Sequence, residues 1–98
     1  MLFRSRQGYW IKYWESGIIC NEEIYINDTL NGSFIQYSNS GRIAAEGSMK
    51  NDERVGIWKL YFPNGKIQSI GQYKNNHPFG EWEIYNEDGT LKLKENYK

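Results

Sequence analysis

GIWKLYFPNGKIQSIGQYKNN, residues 56–76, holds two runs rich in aromatic and β-branched residues on either side of Pro63-Asn64-Gly65. Runs of this length are too short for a pair of helices and suit strands. Pro followed by Asn and Gly suits a type I turn whose third loop residue takes positive φ, the arrangement of a three-residue hairpin closed by a G1 bulge. The segment is therefore expected to be a β-hairpin turning at Gly65.

The same text recurs. Gly8, Gly32, Gly56 and Gly80 fall on one phase of a 24-residue period, and the turn glycines Gly17, Gly41, Gly65 and Gly89 on another. Gly47 and Gly71, on a third phase, complete the ten glycines. Trp10, Phe34, Trp58 and Trp82 form one column, Tyr13, Tyr37, Tyr61 and Tyr85 a second, and Ile19, Ile43, Ile67 and Leu91 a third. No gap is needed anywhere. A fixed period of roughly 20 to 50 residues means stacked copies of one supersecondary unit, none able to bury its apolar face alone.

The expected fold is all-β: an elongated, curved, single-layer antiparallel β-meander of four 24-residue hairpins. Its repeats are 8–31, 32–55, 56–79 and 80–98, in a single domain 1–98, with 1–7 as an N-terminal partial strand or cap. The connections NDTLNG, NDERVG and NNHPFG read as polar links closed by the next glycine. The phase of Gly47 and Gly71 lies inside a strand, where a missing side chain marks a bend or the close approach of a ring. Glu23 and Glu95 take that place in the outer copies, which reads as weaker bending there.

Composition narrows the function. Twelve basic and twelve acidic side chains cancel, so no net field draws phosphate backbones or anionic lipids, and nucleic acid is not an expected partner. No stretch approaches the ~20 apolar residues of a membrane span, and the start MLFRSRQGYWIKYW lacks the apolar run of a secretory signal. Cytoplasmic location is the expectation, and the single cysteine agrees with it. His77, the only histidine, sits in a polar connection, and Cys20 has no general base in its hairpin, so neither a His-paired nucleophile nor a multi-histidine metal site is expected. Adjacent carboxylates such as Glu22 and Glu23 point to opposite sheet faces. Catalytic residues, metal and cofactor are all expected to be absent.

At the level of motif, G-x-[W/F]-x-x-Y-x-x-x-G followed by an aliphatic residue, Gly and Tyr-Lys-Asn resembles the variant MORN repeat of bacterial proteins, including YwqK-like antitoxins of toxin-antitoxin systems. The third copy matches it best, the first departs at Glu23, and the second carries Phe34 in place of Trp. The resemblance implies an elongated antiparallel sheet used as an interaction surface, without catalytic residues, and a toxin as one form of partner.

Alternation counted from the hairpin turn places Tyr13, Ile19 and Tyr25 on one face, and makes Tyr13, Ile19, Tyr37, Ile43, Tyr61, Ile67, Tyr85 and Leu91 the repeat core. The other face of the first hairpin takes Trp10, Trp14, Ile18, Cys20, Ile24 and Ile26. Later repeats put Arg42, Ser48, Lys50, Lys66, Gln72 and Lys74 at the equivalents of Ile18, Ile24 and Ile26. Trp10, Trp14, Ile18, Ile24 and Ile26 are therefore the candidate surface for a protein partner or a homodimer, unless Leu2 and Phe3 fold over it. A non-enzymatic interaction module, in a specific form an antitoxin or immunity protein binding one-to-one, is the leading function. Binding of a carbohydrate or lipid headgroup by exposed aromatic columns is the alternative.

Overall fold

The computed structural model describes residues 6–98, so the proposed cap by Leu2 and Phe3, and most of the partial strand over 1–7, lie outside the described residues. Among the described residues all regular structure is strand: β1 (Gly8–Tyr13), β2 (Ile19–Ile26), β3 (Thr29–Leu30), β4 (Gly32–Tyr37), β5 (Ile43–Lys50), β6 (Glu53–Tyr61), β7 (Ile67–Lys74), β8 (His77–Tyr85) and β9 (Leu91–Tyr97). They form one open antiparallel meander in chain order, with β3 pairing the end of β2. Overall extents of 54 × 35 × 14 Å leave room for a single sheet and its side chains.

Each repeat closes as its glycine requires. The Trp14 amide donates to the Ile18 carbonyl at 2.8 Å and the Gly17 amide to the Trp14 carbonyl at 2.9 Å, and the pattern recurs at Ser38–Arg42, Phe62–Lys66 and Asn86–Thr90. Gly17, Gly41, Gly65 and Gly89 have φ of 90, 89, 89 and 95°, a backbone that strains any residue with a Cβ.

The connections between repeats are tighter than their sequence suggests. Asn27-Asp28, Asn51-Asp52 and Asn75-Asn76 all have positive φ, and Ile26 pairs Thr29, Lys50 pairs Glu53 and Lys74 pairs His77. These are two-residue type I′ hairpin turns, which Asn and Asp tolerate because their short polar side chains ease the left-handed region. Asp28, Asp52 and Asn76 then reach back one repeat. The Asp52 amide donates to the Leu30 carbonyl at 3.1 Å while its Oδ1 accepts from the Leu30 amide at 2.7 Å, and Asp28 with Arg6 and Asn76 with Arg54 do the same.

Register decides the core. Every hairpin slips by one residue just before its tyrosine, between Lys12 and Tyr13, Gln36 and Tyr37, Leu60 and Tyr61, and Ile84 and Tyr85. A face assignment counted from the turn is therefore inverted beyond the slip. Gly8 pairs Tyr25 and Trp10 pairs Glu23, so Tyr25 shares the face of Trp10 and not that of Tyr13 and Ile19. The core lies on this tryptophan face: Ala45, Trp58 and Trp82 are buried, with Phe34, Met49, Leu60 and Tyr73 packed against them. The expected core of Tyr13, Ile19, Tyr37, Ile43, Tyr61, Ile67, Tyr85 and Leu91 is corrected accordingly. Its central members are half-buried, and Tyr13 and Leu91 are exposed.

Candidate interaction surface

The tryptophan face is a lattice of rings. Within a hairpin, Trp10 meets Tyr25 edge-on at 5.9 Å between centroids, Trp58 meets Tyr73 at 5.9 Å and Trp82 meets Tyr97 at 6.2 Å. Between hairpins, Phe34 meets Trp58 at 5.8 Å and Tyr73 meets Trp82 at 5.1 Å. Each interior tryptophan thus lies over the strand of the preceding repeat. That strand makes way with a glycine: a Cβ built on Gly47 would fall inside the Trp58 indole, and one on Gly71 inside that of Trp82. Close approach of a ring, one of the two readings expected for this phase, is what the glycine admits, and the register also shifts across Gly47 and Gly71. The indole N–H completes the fit by donating to the carbonyl one residue beyond, from Trp58 to Ser48 at 3.0 Å and from Trp82 to Gln72 at 3.1 Å.

In the first joint the ring is Phe34 and the glycine is replaced by Glu23. Glu23 is only 3% exposed. Its carboxylate accepts the Tyr25 hydroxyl at 3.1 Å and the Asn21 amide at 3.4 Å, and pairs with the Lys12 ammonium at 3.2 Å. That hydrogen bond raises the Lys12 pKa above its ordinary value. The place of the missing indole N–H is taken by backbone, since the Asn31 amide donates to the Ile24 carbonyl at 2.9 Å.

Carboxylate and phenol pairs occupy the opposite face. Glu22 accepts from the hydroxyls of both Tyr9 and Tyr37, and Glu46 accepts from Tyr61 at 2.6 Å. The Glu22 pKa is lowered, first by Tyr37 and then by Tyr9. Tyr37 is pushed up to about 12, mainly by its bond to Glu22, and Tyr61 to about 12, mainly by burial and then by Glu46. Two open grooves, of about 380 and 370 Å³, lie further along the sheet, and Trp10 lines neither. His77 is exposed at the start of β8, and Cys20 is half-buried with its thiol toward Asn21.

The candidate surface residues do not share one face. Trp10 stands on the ring face with Tyr25, whereas Ile24 pairs Tyr9 on the other side, and Ile26 follows Ile24 by alternation. Trp14 and Ile18 bracket the turn. What unites the first hairpin is its edge. Every residue of β1 is exposed, and Tyr9, Trp10, Ile11, Tyr13 and Trp14 are all large and apolar. Tyr9, Ile11 and Tyr13 were not in the expected surface, and their signal was position, since β1 is an outer strand of the sheet. The only charge on β1, Lys12, is tied to Glu23. The other outer strand, β9, is also exposed but alternates its Leu91 and Leu93 with Lys92 and Lys94.

Against known families, the model of the MORN repeat variant matches residues 6–27, 54–75 and 80–98, well over half of the chain. The unmatched stretch contains the Phe34 hairpin, which folds as the others do. No curated protein matches the chain.

Proposed function

Because the chain belongs to the MORN repeat variant family, a repeat-type interaction module, we propose that it is a non-enzymatic protein-binding module that engages its partner through the outer strand β1. The observation that carries this reading is an apolar edge that no other strand among the described residues covers. An exposed strand presents unpaired backbone donors and acceptors, and proteins ordinarily guard such an edge with charge, proline or coverage. β9 has its lysines, while β1 offers apolar side chains on both faces. Strand addition to such an edge is a recurring mode of recognition.

An antitoxin or immunity role is the specific form suggested by the likeness to YwqK-like antitoxins, and would work by one-to-one blocking of a partner protein. The alternative of sugar or headgroup stacking is less well supported. Trp58 and Trp82, at 2% and 5% exposure, have no free face for a planar ligand, and the exposed tryptophans, Trp10 and Trp14, both belong to the first hairpin and form no column along the sheet. A photo-crosslinking residue placed at Ile11, and separately at Lys92, tests the reading in extract of the cells that express the chain. Protein adducts from position 11 and none from position 92 are expected. Adducts from position 92 alone, or from neither, would remove β1 as the binding edge.

A further inference from the structure

The interior joints spell out what β1 lacks. Trp58 and Trp82 each receive three things from the strand before them. These are a glycine beneath the ring, a carbonyl one residue later for the indole N–H, and a large side chain two residues after the glycine. For Trp82 that side chain is Tyr73, and at the Trp58 joint the position is Met49, part of the same packed cluster. Trp10 occupies the same place in its hairpin. Among the described residues its N–H donates to the Gln7 carbonyl three positions earlier, at 3.1 Å, as Trp58 does to Val55 at 3.2 Å, and to no neighbouring strand. Among the described residues the one aromatic ring it meets is Tyr25, and Trp10 is 40% exposed. Gly8, with φ of 79°, keeps the backbone of Gly56 and Gly80, with φ of 71 and 72°, which lets the interior strands bulge around the incoming glycine. Among the described residues, nothing pairs the outer edge of β1.

We propose that this edge is an acceptor for one extended strand of another protein carrying Gly-x-Tyr, or another large residue in place of Tyr, with the glycine opposite Trp10. Resting on the reading of β1 as the binding edge, this names the class of partner: the strand repeats at an intermolecular joint what β7 does for β8. The same geometry excludes the chain's own outer strand. Continuing the 24-residue register places Glu95 of a second copy beneath Trp10, where a Cβ cannot fit. Glutamate is accommodated only where the ring is the smaller Phe34, over Glu23. One outer strand therefore requires glycine and the other presents glutamate, and this mismatch keeps copies from adding head to tail. Such heterologous contacts would otherwise extend without closing.

Two arms test it with the whole chain. A blocked peptide of residues 65–76, GKIQSIGQYKNN, is titrated into the isotope-labelled protein beside the same peptide with Gly71→Ala. Shifts of the Trp10 indole N–H and the Ile11 and Lys12 amides are expected, without shifts on β9, and binding at least about tenfold weaker for the alanine peptide. In the second arm, light scattering follows the native chain, expected monomeric, and Glu95→Gly, expected to assemble with rising concentration and to revert when Trp10→Ala is added. Glu95 is exposed, its carboxylate accepting the Tyr97 hydroxyl at 2.8 Å, and the fold is expected to survive its replacement, which far-UV circular dichroism of the variant checks. A silent peptide, equal binding of the two peptides, a monomeric Glu95→Gly chain, or a native dimer seated on β1 would each overturn the proposal. Adducts from position 11 alongside any of the first three results would leave β1 as a binding edge and remove only its glycine requirement.

Discussion

Two joints of the same sheet solve one packing problem differently. Between the third and fourth hairpins, Trp82 lies over Gly71 and donates its N–H to the Gln72 carbonyl. Between the first and second, Phe34 stands where the tryptophan would be, and the glycine position holds the buried carboxylate of Glu23. The first solution buries a large ring by deleting a side chain. The second keeps a smaller ring and must satisfy a charge, which it does with Lys12, Tyr25 and Asn21. The ring and the residue beneath it are therefore one unit, and neither can change alone.

The largest expected effect comes from breaking that unit. Gly71→Ala drives a methyl into the Trp82 indole and should destabilise the chain by about 3 kcal/mol in urea unfolding, at the upper end of overpacking costs. Adding Trp82→Phe, which moves the joint toward the Phe34 type, should recover about half of that loss. If the double variant is as unstable as the sum of its parts, ring and glycine are not coupled. Turn strain comes next. Gly65→Val, at φ of 89° and with its Cβ 3.3 Å from an Arg42 nitrogen, should cost about 1–2 kcal/mol in thermal unfolding. Lys66→Thr beside it should be close to neutral, and equal effects from the two would remove the bulged-turn account.

The first joint gives a smaller effect. Lys12→Met leaves the Glu23 carboxylate with two neutral partners, and because Lys12 is half-exposed, water compensates in part. A loss of about 1 kcal/mol is expected, measured by urea unfolding at neutral pH. The smallest effect is spectroscopic. In Glu22→Gln the Tyr37 phenol should fall from about 12 toward its ordinary 10, while Tyr61, which relies on burial and Glu46, stays near 12. Tyrosinate absorbance during an alkaline titration reads both. The sign follows from the raised folded-state pKa: the Tyr37 contribution is complete below pH 10 and is lost as pH rises through about 12. Glu22 acts in the opposite sense. Its lowered pKa gives stability that is present above its ordinary 4.5 and is lost as pH falls below it.

The period of 24 was enough to place four hairpins, because every repeat needs a residue without a Cβ at the same turn, and Gly17, Gly41, Gly65 and Gly89 mark it without a gap. The polarity of the outer strands was also legible, since Lys92 and Lys94 alternate along the last strand while the first has only Lys12. Faces were not. A bulge adds one residue to one strand, the side-chain period is two, and a single uncounted residue moved Tyr25 to the side of Trp10. The two-residue turns at Asn27-Asp28, Asn51-Asp52 and Asn75-Asn76 were visible as polar pairs, but their left-handed backbone appears only in the fold. The meaning of Gly47 and Gly71 was likewise tertiary. Each is empty to admit an indole eleven residues further along the chain, and only the pairing of adjacent repeats brings ring and glycine together.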